Sequence, residues 1–285
     1  MKQFDFWETL NKPKWMNKTD PSYVTAMGSR AYGTATEDSD WDFYGFIVPP
    51  EEVTFPFLRG DIPEFGIQKK NFQQLQGQHV PSETFGEVDI FIYSLPRYFH
   101  LLMQGNPNMI DSIYTPSNVV MYSDRVGEMV RKNRYLFLSQ KMWHTFKGMA
   151  YSHLNRITSR TREGKRKDYV EKYRYDCKDA SHVIRVMLEI EDFLFTGEAD
   201  LTANGVAKNV RNGEWSLEEV QNFFDVTLDK IHRRLDNGES ILPEYPDKHA
   251  IKQLLVGCLE EKYGSLSVFG WNIVKNRGHY SFFVK

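Results

Sequence analysis

Cysteine is nearly missing from this chain: Cys177 and Cys258 are the only two among 285 residues. They lie far apart, match no zinc-ligand spacing and point to no disulfide framework. Long apolar runs are missing as well. No stretch approaches the roughly 18 residues that a membrane-spanning helix needs, so no membrane partner is expected. The opening Met1-Lys2-Gln3-Phe4-Asp5 lacks the basic-then-apolar order of a secretory signal. A reducing cytoplasm is therefore the expected location. An excess of one charge is absent too. The formal net charge is −2, so no global basic field draws the protein onto nucleic acid, which argues against a non-specific coat protein but leaves room for a local basic patch. There is no internal repeat and no low-complexity tract.

What is there fits a globular protein, with 41% hydrophobic and 26% charged residues. The length suffices for two domains sharing a cleft. Tyr23 to Met27 is a short apolar run ending at Gly28. Trp41 to Val48 is a second, stopped by Pro49-Pro50. Residues 51–86 are rich in Pro, Gly and Gln and read as a long loop or weak hairpin, of the kind that often faces substrate. Val88 to Tyr93 is a further strand candidate, and a helix is predicted from Leu95 toward Gln104. The second half is helical by period: Met142, Phe146, Met149, Ala150, Leu154 and Ile157 form one stripe, and Val183, Met187, Ile190 and Leu194 another. Ser216 and Glu219 form a capping box before a third stripe of Val220, Phe224, Leu228, Ile231 and Leu235. The expected class is α+β, with a small mixed-sheet domain over residues 1–130 followed by a mainly helical domain over 131–285.

The informative segment runs from Met27 to Gly45, MGSRAYGTATEDSDWDFYG. It reads as strand, tight glycine turn, short helix or loop, and strand. Gly28 lets the backbone approach a bulky anion, and Ser29 offers a hydroxyl and an N–H at a helix N-terminus, which suits a phosphate. Gly33 keeps the turn compact. Asp40 and Asp42 are two apart, so in a strand they share a face while Trp41 and Phe43 turn into the core. Two such carboxylates repel each other, and a hard divalent cation relieves that repulsion. A two-metal site needs a third carboxylate. Asp89 is preferred for its central place in a strand and its short side chain, with Glu87, two residues earlier on the same face, as the competitor.

These motifs resemble the DNA-polymerase-β-like nucleotidyltransferase superfamily, whose pattern is Gly-Ser, a spacer, Asp-x-Asp and a distant third Asp. The closer match is the branch associated with RNA repair in bacteria and phages. There GSRAYG runs into SDxD and then a Gly before an aliphatic strand, as Gly45-Phe46-Ile47-Val48 does here. Gly105-Asn106-Pro107-Asn108 with Asp111, Tyr175 through His182 with Arg185, and Gly197-Glu198 extend the likeness over about residues 23–200. The chain departs from that branch at Tyr44, where the pattern has Arg, and at Asp111, where it has Glu. The resemblance implies two Mg2+ (or Mn2+) ions held by Asp40, Asp42 and Asp89, with a nucleoside triphosphate as substrate. The triphosphate is expected against Gly28, Ser29 and Arg30, unless Arg30 instead pins the loop by a salt bridge.

On the Asp179 helix, Lys178, His182, Arg185 and Glu189 recur at helical spacing on one face. A solvated face fits that spacing. With the resemblance, Lys178 and Arg185 are expected to approach the triphosphate or base, and His182 to orient a neighbour or touch substrate. The segment Arg160–Arg174 interleaves basic residues with Tyr169 and Tyr173, a composition that suits either a solvated loop or RNA contact. The expected reaction is attack of an acceptor hydroxyl on the α-phosphate, with an RNA or tRNA end as the first acceptor. A small molecule or a protein side chain is the alternative acceptor, and a non-catalytic nucleotide-binding module is the reading from another class.

Overall fold

The computed structural model describes residues 4–35, 39–62, 66, 70–159, 165–203, 205–266, 274–276 and 279–281. Its first half is built on a five-stranded mixed sheet ordered β3-β4-β2-β1-β5. The strands are β1 (Tyr23–Ala26), β2 (Trp41–Ile47), β3 (Gln74–Ser82), β4 (Gly86–Ser94) and β5 (Val120–Ser123). β2 and β4 run parallel, and the other neighbours are antiparallel. Helices α1 (Glu51–Thr54), α2 (Leu95–Met103), α3 (Pro107–Tyr114) and α4 (Arg125–Lys132) lie among and after these strands. The rest is mainly helical: α5 (Met142–Ser159), α6 (Lys165–Tyr173), α7 (Cys177–Thr196), α8 (Gly205–Arg211), α9 (Leu217–Asp236) and α10 (Lys248–Tyr263), followed by a small hairpin of β6 (Val274–Asn276) and β7 (His279–Ser281). The fold class is α+β, as the alternation of patterns predicts.

Period-2 alternation sorts the sheet's side chains onto two cores. Phe43 and Ile47 of β2 join Val24, Ala26, Val88, Ile90 and Ile92 in one cluster, which Phe4, Phe6 and Trp7 cover from behind. Phe6 stacks on Phe43 at 5.4 Å, and Phe85 meets the same ring edge-on at 5.3 Å. The opposite face carries Tyr23 and Phe46 into a second cluster that runs on through Phe146, Val183 and Ile190 to Leu259. That core is continuous across residue 130.

Side chains cap the helices where the chain enters them. Ser94, Asn106, Asp124, Asp176 and Asp247 each accept a first-turn N–H. Ser216 and Glu219 make the reciprocal capping box of α9. Of the two readings expected for the segment 51–86, loop or weak hairpin, the structure shows the hairpin. Beyond two short helical turns it holds β3, a full strand in a hairpin with β4. Its sequence, QLQGQHVPS, buries only Leu75 and Val80. Such a strand shows no apolar alternation because it sits at the sheet edge, where backbone pairing alone defines it and Pro81 is tolerated.

Candidate active site in the cleft between sheet and helices

The parallel register of β2 and β4 puts Asp42 directly beside Asp89. Both lie on the face that also carries Tyr44, Phe46 and Tyr93, so they open toward the helices rather than into the Phe43 cluster. Asp40 is exposed immediately before β2. Burial pushes the Asp42 carboxyl up, Asp89 pushes it further, Lys178 opposes the rise, and Asp40 adds to it. The three aspartates therefore form one field, in which Asp42 is the most desolvated member. Asp89 is fixed from the edge strand: His79 takes a left-handed φ of 50° at an irregularity in β3 and donates its backbone N–H to Asp89 Oδ1 at 2.9 Å. The competitor Glu87 stands mostly exposed, with Oε2 3.3 Å from His79 Nδ1.

The glycine turn meets this field directly. Gly28 has φ +62°, and a Cβ there would run into the Asp42 carboxylate. The anion that Gly28 lets the backbone approach thus includes the protein's own acid, and the Met27 N–H donates to the Asp42 carbonyl at 2.7 Å to hold the two segments together. Residues 28–33 form successive turns rather than a regular helix, with Tyr32 N–H to Gly28 C=O at 3.2 Å and Thr34 N–H to Ser29 C=O at 2.8 Å. The helix N-terminus expected at Ser29 is replaced by this tight turn. Arg30 lies 3.5 Å above the Trp41 ring and donates from Nη2 to the Ser39 carbonyl at 3.0 Å. It holds the two ends of the Ser29–Asp40 connection together by stacking and a backbone bond, where a salt bridge was the expected alternative.

A cavity of about 460 Å³ opens between the sheet and the helices. Met27, Gly28, Tyr32, Asp42 and Tyr44 line one side, and Asn108, Met149, Ser152, His153, Arg156, His182 and Arg185 the other. Helix α7 supplies His182 and Arg185, as the polar face predicts. Burial, aided by Arg185, His153 and Lys178, pushes the His182 imidazole well below its usual range. Its ring lies 4.8 Å from that of His153. Arg185 is placed otherwise than as a solvent-facing phosphate ligand. It is 6% exposed, and its Nη1 donates to Glu189 Oε1 at 2.6 Å and to Asp111 Oδ2 at 3.1 Å. Lys178 contributes to the Asp42 field from the first turn of α7 without lining the cavity.

Helix α5 brings residues that sequence reasoning passed over. His153 Nδ1 lies 2.8 Å from Oδ1 of the buried Asp179, and Arg156 Nη2 lies 3.5 Å from the same oxygen. Burial outweighs that carboxylate and lowers the His153 pKa. The available signal was the recurrence of Ser152, His153 and Arg156 at helical spacing beside Met149, next to the apolar stripe of Phe146, Ala150 and Ile157. Of the Arg160–Arg174 segment, Arg160 and Arg162 lie outside the described residues. Lys167 pairs with Glu171 at 3.6 Å, both well exposed, and Lys172 sits over the Tyr173 ring.

Among the described residues, no three His, Cys, Asp or Glu side chains are gathered closely enough to enclose an ion by themselves. Mg2+ seldom uses such a cage: it takes one or two carboxylates and completes its octahedron with water and substrate phosphates. The hard oxygen donors Asp42 and Asp89, side by side and mutually repelling, fit that ion.

Comparison with known proteins agrees with this geometry. Residues 6–201 match the model of the RNA repair pathway DNA polymerase beta family. The chain belongs to that family. The match takes in the sheet, the glycine turn, the aspartates and helices α5 and α7, so it covers both walls of the cleft. An uncharacterised 38.9 kDa protein from the nrdC–mobD intergenic region of Enterobacteria phage T4 is 32% identical over 118 residues, which is 41% of this chain and 32% of that protein. The chain thus spans about a third of that relative's length. Family membership makes this a polymerase-β-like nucleotidyltransferase fold. Among the described residues, no helix is long and apolar enough to cross a membrane.

Proposed function

We propose that this protein transfers a nucleoside monophosphate from a nucleoside triphosphate to an acceptor hydroxyl and releases pyrophosphate. One observation carries the reading: Asp42 shares a rung of the sheet with Asp89, lines the cavity, and has the Gly28 turn packed against it. Asp40, Asp42 and Asp89 would hold two Mg2+ or Mn2+ ions, which when bound supply charge compensation at the α-phosphate and activation of the acceptor hydroxyl. Backbone amides of the turn and the Ser29 hydroxyl grip the β- and γ-phosphates. Asp89, held by the His79 N–H, stands on the acceptor side and draws the proton from the attacking hydroxyl. Helices α5 and α7 orient the nucleoside and limit water, so that the protein contributes position and a prearranged field.

The family's association with RNA repair supports an RNA or tRNA end as acceptor. A hydroxyl on a small molecule or a protein side chain is the second reading, supported by the net charge of −2. The deciding experiment incubates each α-labelled nucleoside triphosphate with Mg2+ and, separately, total RNA or protein extract. Label in the RNA fraction supports the first acceptor and label in protein the second. Absence of label and of pyrophosphate in every arm overturns the transfer reading. A salt titration of RNA binding adds an independent check, because phosphate contacts release counterions and give a steep loss of affinity with salt.

A further inference from the structure

Beneath the glycine turn lies a set of charges whose presence stability does not explain. Tyr32, Asp111, Arg185 and Glu189 are 6%, 1%, 6% and 4% exposed. Tyr32 comes from the turn, Asp111 from α3, and Arg185 and Glu189 from α7. The Tyr32 hydroxyl donates to Asp111 Oδ2 at 2.7 Å, and Arg185 Nη1 donates to that same oxygen as well as to Glu189. The Arg185 guanidinium lies 3.8 Å from the centre of the Tyr32 ring. Two carboxyls thus surround one guanidinium, and three polar atoms of the group, Asp111 Oδ1, Arg185 Nε and Glu189 Oε2, are buried without a hydrogen-bond partner. An apolar filling of such a site is often at least as stable as buried ions.

We propose that Tyr32, Asp111, Arg185 and Glu189 form a buried strut that sets the position of the Gly28–Ser29 turn against the helical wall, and that they are positioning residues for the triphosphate. The strut rests on the reading of the turn as the triphosphate grip. Tyr32 is the coupling member. Its backbone N–H closes the turn on the Gly28 carbonyl, while its side chain ends on Asp111 and lies against Arg185. Tyr32 and Arg185 line the same cavity as Gly28 and Asp42, so a shift of the strut moves the floor of the site. The two α7 residues are one helical turn apart and present a forked donor and an acceptor as a unit. A lysine at position 185 would keep the charge but lose the planar fork and the stack.

The test uses the full chain and isothermal titration with Mg2+ and each of the four nucleoside triphosphates, with inorganic tripolyphosphate as a probe that carries no base. Tyr32→Phe removes one hydroxyl and keeps the ring under Arg185. We expect it to weaken both tripolyphosphate and nucleotide binding about five- to tenfold, the scale of one lost buried hydrogen bond. KM should rise while kcat changes little, because the turn grips phosphates that do not react. Arg185→Lys should behave like Tyr32→Phe or worse, despite its retained charge. Unchanged Kd and KM in a folded Tyr32→Phe protein, with only Tm lowered, would show a purely structural network and overturn the proposal. Binding of no triphosphate by the wild-type protein would overturn both the strut and the functional reading beneath it. Tight wild-type binding that survives Tyr32→Phe overturns the strut alone.

Discussion

On the sheet wall of the cleft, Asp42 and Asp89 stand side by side and the Asp42 carboxyl is pushed up. On the facing helical wall, His153 and His182 are both pushed down. The two walls therefore share one tension, since each disfavours its own charged form, but with opposite sign. The sheet wall is short of positive charge, and burial makes the shortage worse. On the helical wall, burial first, and then Arg156, Arg185 and Lys178, disfavour the charged forms of the imidazoles. A cleft built this way is acidic at one wall and presents cationic and neutral groups at the other. The lesson is that each wall carries a charge imbalance the other does not cancel, and the proposed metal-bound triphosphate is a ligand that would answer both.

The largest effect should come from breaking the sheet wall. Asp42→Asn is expected to lower nucleotide transfer by on the order of 10³-fold or more, since the lost ligand carries several kcal/mol of charge stabilisation. Its Tm should hold or rise, because a carboxyl whose pKa is raised by folding destabilises the fold at neutral pH. Full activity in that variant would sink the assignment. Next comes Gly28→Ala. It strains a backbone at φ +62° by about 1–2 kcal/mol and drives a methyl into the Asp42 carboxylate. Transfer should fall with a measurable loss of Tm, read by turnover and melting together. Third, Arg156→Ala on the helical wall should weaken nucleotide binding by roughly tenfold, the worth of one charge-assisted bond, as measured by titration calorimetry. An unchanged Kd would remove Arg156 from the binding surface.

The smallest effects are in stability against pH, where two residues of α7 act in opposite directions. Burial pushes Glu189 up to about 8, so the folded protein binds its proton more tightly than the unfolded chain does. The stability it contributes is complete below the ordinary glutamate range near 4.5 and is lost as pH rises toward about 8. Glu189→Gln should flatten that fall between about 4.5 and about 8 in a series of melts. His182 acts in the other direction. Its pKa is depressed, so its contribution is present above the usual value of 6.5 and is lost as pH falls below it. His182→Gln should flatten the loss below 6.5 and leave the Glu189 fall between 6.5 and about 8 unchanged.

The sheet wall was largely legible in the sequence and the helical wall only in part. Strand alternation places Asp42 and Asp89 on one face because the period is 2 and leaves no choice once Phe43 and Ile90 are buried. Helix α7 was legible by its 3.6 period, and His182 follows from that. Arg185 did not, because a polar face seen in sequence looks the same whether it meets water, substrate or a pair of buried acids. Only the positions of Asp111 on α3 and Tyr32 in the turn decide which, and both are distant in the chain. His153 and Arg156 escaped for the same reason: their meaning depends on Asp179 from another helix. Strand β3 was legible only as a weak hairpin with a loop as the alternative, because its pairing uses backbone groups and its side chains QLQGQHVPS carry almost no pattern.

The two-faced sheet has a last consequence. A slip of β2 or β4 by one residue would exchange its faces, turning aspartates into the Phe6–Phe43–Phe85 cluster and presenting phenylalanine and isoleucine to the cleft. A misthreaded chain therefore has no half-formed site to offer, because the same error that ruins the core also removes the acids. If the proposed transfer activity holds, activity per molecule becomes a census of correctly threaded protein.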